Sequence, residues 1–280
     1  MEPALLQPRD LRSVLGARVL RPVVTVAFGT TRFAPARTRD GEVTVMKPTA
    51  GLAQRESRRS SNDDEAEWIA TDRICMIGAS SARAMLVLVA AYVVVFVVGF
   101  ASVGNLNKPL PDPYLAIAEV LILVMAPIMV TLMLAIHDCA PARAKPFTQV
   151  ALGWMLAAAA FTTTVHFVEL TVARHINHAT VPGYDRIFDF KWPSMLYAVD
   201  IVAWDIFFGL ALLFAVPAFA RGSKARAGLI ASGSLCLIGL AGPFANAVGW
   251  RAIGIFGYTI VFGLTCLPLS RAFVSTRRIG

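Results

Sequence analysis

Six apolar segments, each long enough to cross a lipid bilayer, occupy most of the chain after residue 83. Their predicted limits are 84–104, 114–136, 147–173, 195–220, 227–250 and 252–269. About 20 apolar residues in a helix cross the roughly 30 Å of bilayer hydrocarbon. Because membrane-spanning β-strands are shorter and alternate in polarity, the segments predict an all-α, six-transmembrane-helix bundle over residues 84–272.

The composition supports a membrane protein rather than a soluble one. Of the 280 residues, 56% are hydrophobic and 16% are charged, whereas soluble domains contain about 45–50% apolar and about 25% charged residues. The polar, Arg-rich start predicts a disordered cytoplasmic segment over residues 1–61. A juxtamembrane helix is expected over residues 62–83, with Asn62 as its cap. Both Met1 and Met46 remain open as the natural start.

The distribution of basic residues predicts the orientation of the chain. Ten basic residues flank the ends expected to face the cytoplasm, against five on the other side, and an excess of Lys and Arg marks cytoplasmic loops. Both termini are therefore expected in the cytoplasm of a bacterium, with the chain in its inner membrane. The ten are Arg73, Arg83, Arg143, Lys145, Arg221, Lys224, Arg226, Arg271, Arg277 and Arg278, and the five are Lys108, Arg174, Arg186, Lys191 and Arg251.

Several function classes are not indicated. The net charge of +8 is not accompanied by a basic motif with interleaved aromatic residues, so the lipid bilayer and not nucleic acid is the expected partner. The four cysteines are scattered without a C-x-x-C pair, which argues against a disulfide framework or a zinc ribbon. The sequence contains no phosphate-binding loop, nucleophile elbow or zinc-protease motif. No cofactor is indicated, and the oligomeric state stays open.

Ionisable residues within the predicted second, third and fourth segments define a candidate site. Charged groups in a membrane are costly and usually face a bundle interior, where they bind ligands or protons. At a rise of 1.5 Å per residue, all five lie roughly 6–15 Å below the outer surface. They are Glu119, His166, Glu169, Asp200 and Asp205, and Tyr197 shares a helix face with Asp200.

The two aspartates of the fourth segment cannot point the same way in a regular helix. With 3.6 residues per turn, Asp205 lies about 140° around from Asp200, so the two either border the same broad face or address different neighbours. Whether Asp205 is protonated stays open. In the loop before this segment, His175 and His178 are weak candidates for a metal site, and no metal is assigned.

The final two segments are rich in small residues. Gly228 and Ser232 stand four residues apart, a spacing that lets membrane helices approach closely. The sequence therefore predicts that segments five and six pack tightly against each other.

Two stretches, YAVDIVAWDIFFGLALLFAVPAF and GPFANAVGWRAIGIFGYTIVF, resemble a family of uncharacterised bacterial polytopic membrane proteins with about six spans. The resemblance covers roughly residues 66–272 and leaves the Arg-rich start outside. It implies a multi-pass membrane fold. No activity or catalytic motif carries over from it.

Three functions follow as alternatives. The favoured one is an outward-facing small-molecule or proton site, used in transport or ligand binding and built on segments two to four. An intramembrane enzyme would instead use the carboxylates and His166 for acid–base chemistry on a lipid-soluble substrate. In the third, the chain is a structural or accessory subunit, and the polar residues only fix helix pairing.

Overall fold

The computed structural model describes residues 50–104, 110–176 and 180–277, with side chains from residue 72 to residue 275 of these ranges. The chain divides into two compact units, Met1–Ala53 and Gln54–Gly280, and the membrane-crossing helices belong to the second unit. Up to residue 49, the predicted disordered segment lies outside the described residues. Within the described ranges, all regular secondary structure is helical.

Within the described residues, six helices are long and apolar enough to cross a membrane, so the predicted all-α, six-helix architecture is confirmed and the chain is a multi-pass membrane protein. The first helix runs from Ala50 to Val103, so the start expected at Asn62 lies inside it. We label the membrane-crossing parts α1 (Asp72–Val103), α2 (Tyr114–Asp138), α3 (Ala142–Ala173), α4 (Met195–Ala218), α5 (Lys224–Phe244) and α6 (Val248–Ser275).

The bundle has two chemically different ends. The loop end is formed, within the described residues, by the connecting residues 110–113, 174–176, 180–194 and 245–247. The basic end is formed by the turns 139–141 and 219–223, the start of α1 and the last turns of α6. At the loop end, Ser194 caps the start of α4, and its side-chain oxygen accepts a hydrogen bond from Tyr197 N at 3.2 Å. Such a cap satisfies one of the free amide groups of a helix start.

Neighbouring helices pack in chain order for most of the bundle. Helix α3 packs against α2 and α4, and α5 packs against α4 and α6. The close α5–α6 approach is confirmed, because Ser232 Oγ donates to Gly257 O at 2.9 Å and Gly228 lies against Thr265. The largest fully buried apolar side chains include Met85, Met129, Met133, Met155, Phe208 and Leu212.

Three of the six helices contain a π-helical turn toward the loop end. These turns are Glu169–Ala173 in α3, Val202–Phe208 in α4 and Gly257–Val261 in α6. A π-helical turn hydrogen-bonds residue i to residue i+5, which changes the side-chain register that a regular α-helix would have. Such turns occur often at functional sites.

The boundary between the last two helices differs from the prediction. Helix α5 ends at Phe244 and α6 begins at Val248, whereas the predicted segments end at residue 250 and begin again at residue 252, with Arg251 between them. Asn246, with a φ of 52°, makes the turn in a left-handed conformation that asparagine tolerates. Arg251 consequently lies within α6 and not in a loop. The turn was misplaced because its residues are nearly as apolar as the helices beside it.

Candidate proton or ligand site at the loop end

A buried arginine, Arg251, forms the centre of the polar site. Its Nη2 atom donates to Asp200 Oδ2 at 2.6 Å, and its Nε atom lies 3.6 Å from Asp205 Oδ2. The guanidinium carbon stands 4.4 Å from the centre of the Tyr197 ring, within the range of a cation–π contact. One arginine of α6 therefore joins two carboxylates and an aromatic ring of α4.

His166 of α3 connects Asp200 to a third helix. Its Nδ1 atom and Glu119 Oε2 of α2 form a hydrogen bond of 2.6 Å. Its Nε2 atom lies 3.3 Å from Asp200 Oδ1, an ion-pair contact without the alignment of a hydrogen bond. The contacts thus form a continuous line through Glu119, His166, Asp200, Arg251 and Asp205, which we call the charged line.

The π-helical turn of α4 explains how both aspartates reach the same arginine. In a regular α-helix, Asp200 and Asp205 would lie about 140° apart. The turn Val202–Phe208 inserts an i to i+5 register, so that residues five apart approach a common face. Both carboxylates contact Arg251, so the two aspartates border the same face, which is one of the two alternatives predicted from the sequence.

The charged line is closed off from solvent. Asp205 is 0% exposed, and Arg251 and Asp200 are each 3% exposed. Several of its polar atoms have no hydrogen-bond partner among the described residues, namely His166 Nε2, Asp200 Oδ1, both carboxylate oxygens of Asp205, and Arg251 Nε. Buried polar atoms are normally satisfied, so these atoms retain unused capacity to bind a proton, a water molecule or a ligand.

Glycines of α5 and α6 make room for the Asp205 carboxylate. A Cβ atom added at Gly254 would lie 2.6 Å from Asp205 Oδ1, and one added at Gly239 would lie 2.8 Å from Gly254 Cα. The small-residue packing of the last two helices therefore permits an acidic side chain of α4 to lie between them. The close packing of α5 against α6, which the sequence predicts, therefore also shapes the site.

Aromatic side chains cover the charged line on the loop side. The Phe190 ring lies 5.8 Å from the His166 ring and 5.2 Å from the Tyr197 ring, centre to centre. Deeper in the bundle, Trp204 stacks on Tyr258 at 4.9 Å. Phe190 belongs to the α3–α4 connection, so this loop supplies the cover between His166 and the loop-end surface.

Glu169 lies between the charged line and a cavity at the loop end. It is buried, its Oε2 atom has no hydrogen-bond partner among the described residues, and it interacts electrostatically with Glu119, Asp189 and His166. The cavity has a volume of about 400 Å³ and is lined by Val181, Gly183, Tyr184, Asp185 and Asp189. Burial, and then the nearby Glu169, raise the pKa of the Tyr184 phenol, whose hydroxyl donates to Ala173 O at 3.0 Å.

The histidines of the connecting loop do not join this site. His175 is exposed and hydrogen-bonds through its ring to Thr171 O, while His178 lies outside the described residues. Between residues 72 and 275, wherever side chains are described, no group of three or more His, Cys, Asp or Glu residues is arranged to hold a metal ion.

All six candidate residues from the sequence lie at the loop end, and five of them join the charged line or contact it. The residue that sequence reasoning missed is Arg251, which was counted as a loop cation. A signal was present in WRAIG, because a lone arginine directly before an apolar run can belong to the run. Phe190 was missed as well, since nothing in its local sequence distinguishes it.

The chain has no significant match to any protein-family model, curated protein or solved structure. The resemblance to bacterial polytopic membrane proteins therefore stays a prediction, and the function must be argued from the site itself.

Proposed function

We propose that the chain is a proton-linked membrane transporter whose charged line binds and releases protons. The observation that carries the proposal is the imbalance of charge in a closed site. The charged line has three carboxyl groups, Glu119, Asp200 and Asp205, and only two basic side chains, His166 and Arg251. Full ionisation would leave an excess of one negative charge in a buried site, which is unfavourable. The site therefore holds protons, and their number responds to its surroundings.

The arrangement of the charged line supports relay of a proton over three helices. His166 has one ring nitrogen toward Glu119 and the other toward Asp200, and imidazole accepts and donates protons near neutral pH. Chains of Asp, Glu and His in membranes are typical of proton relays in pumps and transporters. The acidic residues Asp185 and Asp189 of the adjacent cavity favour a cationic over an anionic substrate.

The loop end is proposed to face outward from the bacterial inner membrane. Among the described residues, nine Lys and Arg residues lie at the basic end. Three lie at the loop end once Arg251 is assigned to the buried site, namely Arg174, Arg186 and Lys191. An excess of basic residues is typical of the cytoplasmic side. A single cysteine at position 175, introduced by His175→Cys in a chain otherwise free of cysteine, is expected to react with a membrane-impermeant maleimide in intact cells. Ser223→Cys in the same background is expected to react only after lysis. The opposite pattern would reverse the orientation.

Infrared difference spectroscopy of the reconstituted protein tests the proton site directly. Spectra recorded between about pH 5 and about pH 9 are expected to contain a carboxylic-acid C=O band that changes with pH. Asp205→Asn is expected to remove or shift that band. The matched control is Asp138→Asn, an exposed carboxylate at the basic end of α2, which should leave the band in place.

Vesicle flux supplies the second readout. An imposed pH gradient is expected to drive proton movement that wild-type protein accelerates and Asp205→Asn abolishes, with Asp138→Asn retaining it. If Asp205→Asn and His166→Gln lower only the thermal stability, with no change in the carboxyl band or in flux, the polar residues fix helix pairing and the transport proposal is overturned.

A further inference from the structure

A second cavity lies at the basic end, far from the charged line, between α1 and α6. It has a volume of about 290 Å³ and is lined by Arg83 of α1 and by Ser270, Arg271, Val274 and Ser275 of α6. The two helices are in contact on both sides of it along the bundle axis. Gly78 approaches Phe273 on one side, and Gly263 approaches Val89 on the other, so that the cavity is a fixed feature of the α1–α6 interface.

Among the described side chains, none that is acidic neutralises the two arginines in the cavity. Arg83 Nε donates to Ser270 Oγ at 3.2 Å, which orients the guanidinium along the cavity wall. Among residues 72–275, as far as their side chains are described, no carboxylate forms an ion pair with Arg83 or Arg271. Two guanidinium groups and the Ser270 hydroxyl, which accepts from Arg83 and keeps its own hydrogen to donate, provide the donors that recognise a phosphate group.

Other basic residues at this end are used differently. Lys145 Nζ donates to His137 O at 2.6 Å and to Asp138 O at 2.9 Å. Arg226 Nη1 donates to Val216 O at 3.1 Å and to Phe219 O at 3.3 Å. Both side chains therefore bind the free carbonyl groups at a helix end. Arg83 and Arg271 make no such backbone contact among the described residues.

The depth and surroundings of the cavity match a lipid rather than a soluble anion. Arg83 directly precedes the apolar segment of α1, and Arg271 follows that of α6, so both lie at the edge of the hydrocarbon region. Val87 and Leu267 stand one helical turn further in, on the same faces as the two arginines, and are 66% and 43% exposed. Acyl chains can lie along these two residues while the phosphate contacts the guanidinium groups.

We propose that this cavity, the α1–α6 headgroup site, binds the phosphate of an anionic phospholipid from the adjoining leaflet. Basic pockets between membrane helices recognise such headgroups, with each Arg or Lys contributing a comparable share of the attraction. The site is independent of the charged line, so loss of one leaves the other in place.

Native mass spectrometry of the purified full chain, titrated with phosphatidylglycerol, tests the site. Arg83→Gln and Arg271→Gln are each expected to weaken binding about fivefold, and the double variant about thirtyfold. The matched control is Arg221→Gln, an exposed arginine at the same end that does not line the cavity, and it should bind like the wild type. Phosphatidylcholine, which has no net charge, should bind weakly to all variants.

Two further arms keep the test decisive. Arg83→Lys with Arg271→Lys is expected to restore most of the binding lost in the double glutamine variant, which a general folding defect would not permit. Inorganic phosphate and glycerol phosphate are expected not to displace the lipid at comparable concentration, because they lack acyl chains. Equal binding by the double glutamine variant and the Arg221→Gln control would overturn the proposal, and so would displacement of the lipid by phosphate alone.

Discussion

The two ends of the bundle use basic side chains in opposite ways. At the loop end, Arg251 is 3% exposed and faces the carboxylates of Asp200 and Asp205. At the basic end, Lys145 and Arg226 bind backbone carbonyls, and Arg83 and Arg271 are exposed beside lipid-facing residues. The difference shows that a basic residue near a helix end can belong to one of two environments. It lies either at the membrane surface, where it indicates the orientation of the chain, or inside the bundle, where it neutralises acidic side chains.

Replacing the buried arginine is expected to give the largest effect. Arg251→Gln leaves Asp200 without its cation, and breaking a buried ion pair costs about 3–5 kcal/mol of unfolding free energy. Arg226→Gln at the basic end removes hydrogen bonds to two carbonyls and is expected to cost about 1–2 kcal/mol. Unfolding of both variants in detergent, against wild type, measures the difference.

A double variant sharpens this prediction. If Arg251 acts by neutralising Asp200, Arg251→Gln combined with Asp200→Asn will destabilise the protein by less than the sum of the single changes. Equal losses for Arg251→Gln and Arg226→Gln, or simple additivity of the double variant, would mean that the two ends do not differ as described.

Helix packing gives a second, smaller contrast between the ends. A Cβ atom at Gly239, near the site, would lie 2.8 Å from Gly254 Cα and 2.9 Å from Gly254 N, which are backbone atoms that cannot rotate away. Gly239→Ala is therefore expected to cost about 1–3 kcal/mol. For Gly228→Ala, nearer the basic end, the three nearest atoms to the added Cβ all belong to the Thr265 side chain. Because a side chain shifts more readily than a backbone, this variant is expected to cost less.

The control for both glycine variants is Gly153→Ala. A Cβ atom there would meet nothing within 4 Å, and alanine in a helix interior is favoured over glycine by about 0.5–1 kcal/mol. The midpoint of thermal unfolding should therefore be lower for Gly239→Ala than for Gly228→Ala. For Gly153→Ala it should equal or exceed that of the wild type. A Gly239→Ala variant as stable as wild type would show that α5 and α6 separate easily.

The sequence predicts the helices and the depth of the site in the membrane, but not the contacts between its side chains. Helix number and approximate limits follow from apolar length alone, and the shared depth of Glu119, His166 and Asp200 follows from counting along each helix. The π-helical turn in α4 changes which side chains share a face of the helix, and no local residue pattern predicts such a turn. The turn at Asn246 is nearly as apolar as the helices it joins, so Arg251 was assigned to the wrong environment.

Thiol reactivity offers the mildest test of the contrast between the ends. At the basic end, Cys139 Sγ lies 3.3 Å from Cys75 Sγ, and burial, followed by this contact, raises the pKa of the Cys139 thiol to about 12. The thiolate is the reactive form, so alkylation of Cys139 by iodoacetamide should be slow at about pH 8 and rise about tenfold per pH unit up to its pKa. An exposed thiol introduced at the loop end by His175→Cys should react far faster at the same pH. Cys139→Ser identifies the slow signal. If Cys139 reacts at about pH 8 as fast as the thiol at position 175, its environment is not the desolvated one described, and the basic end is open to water at that depth.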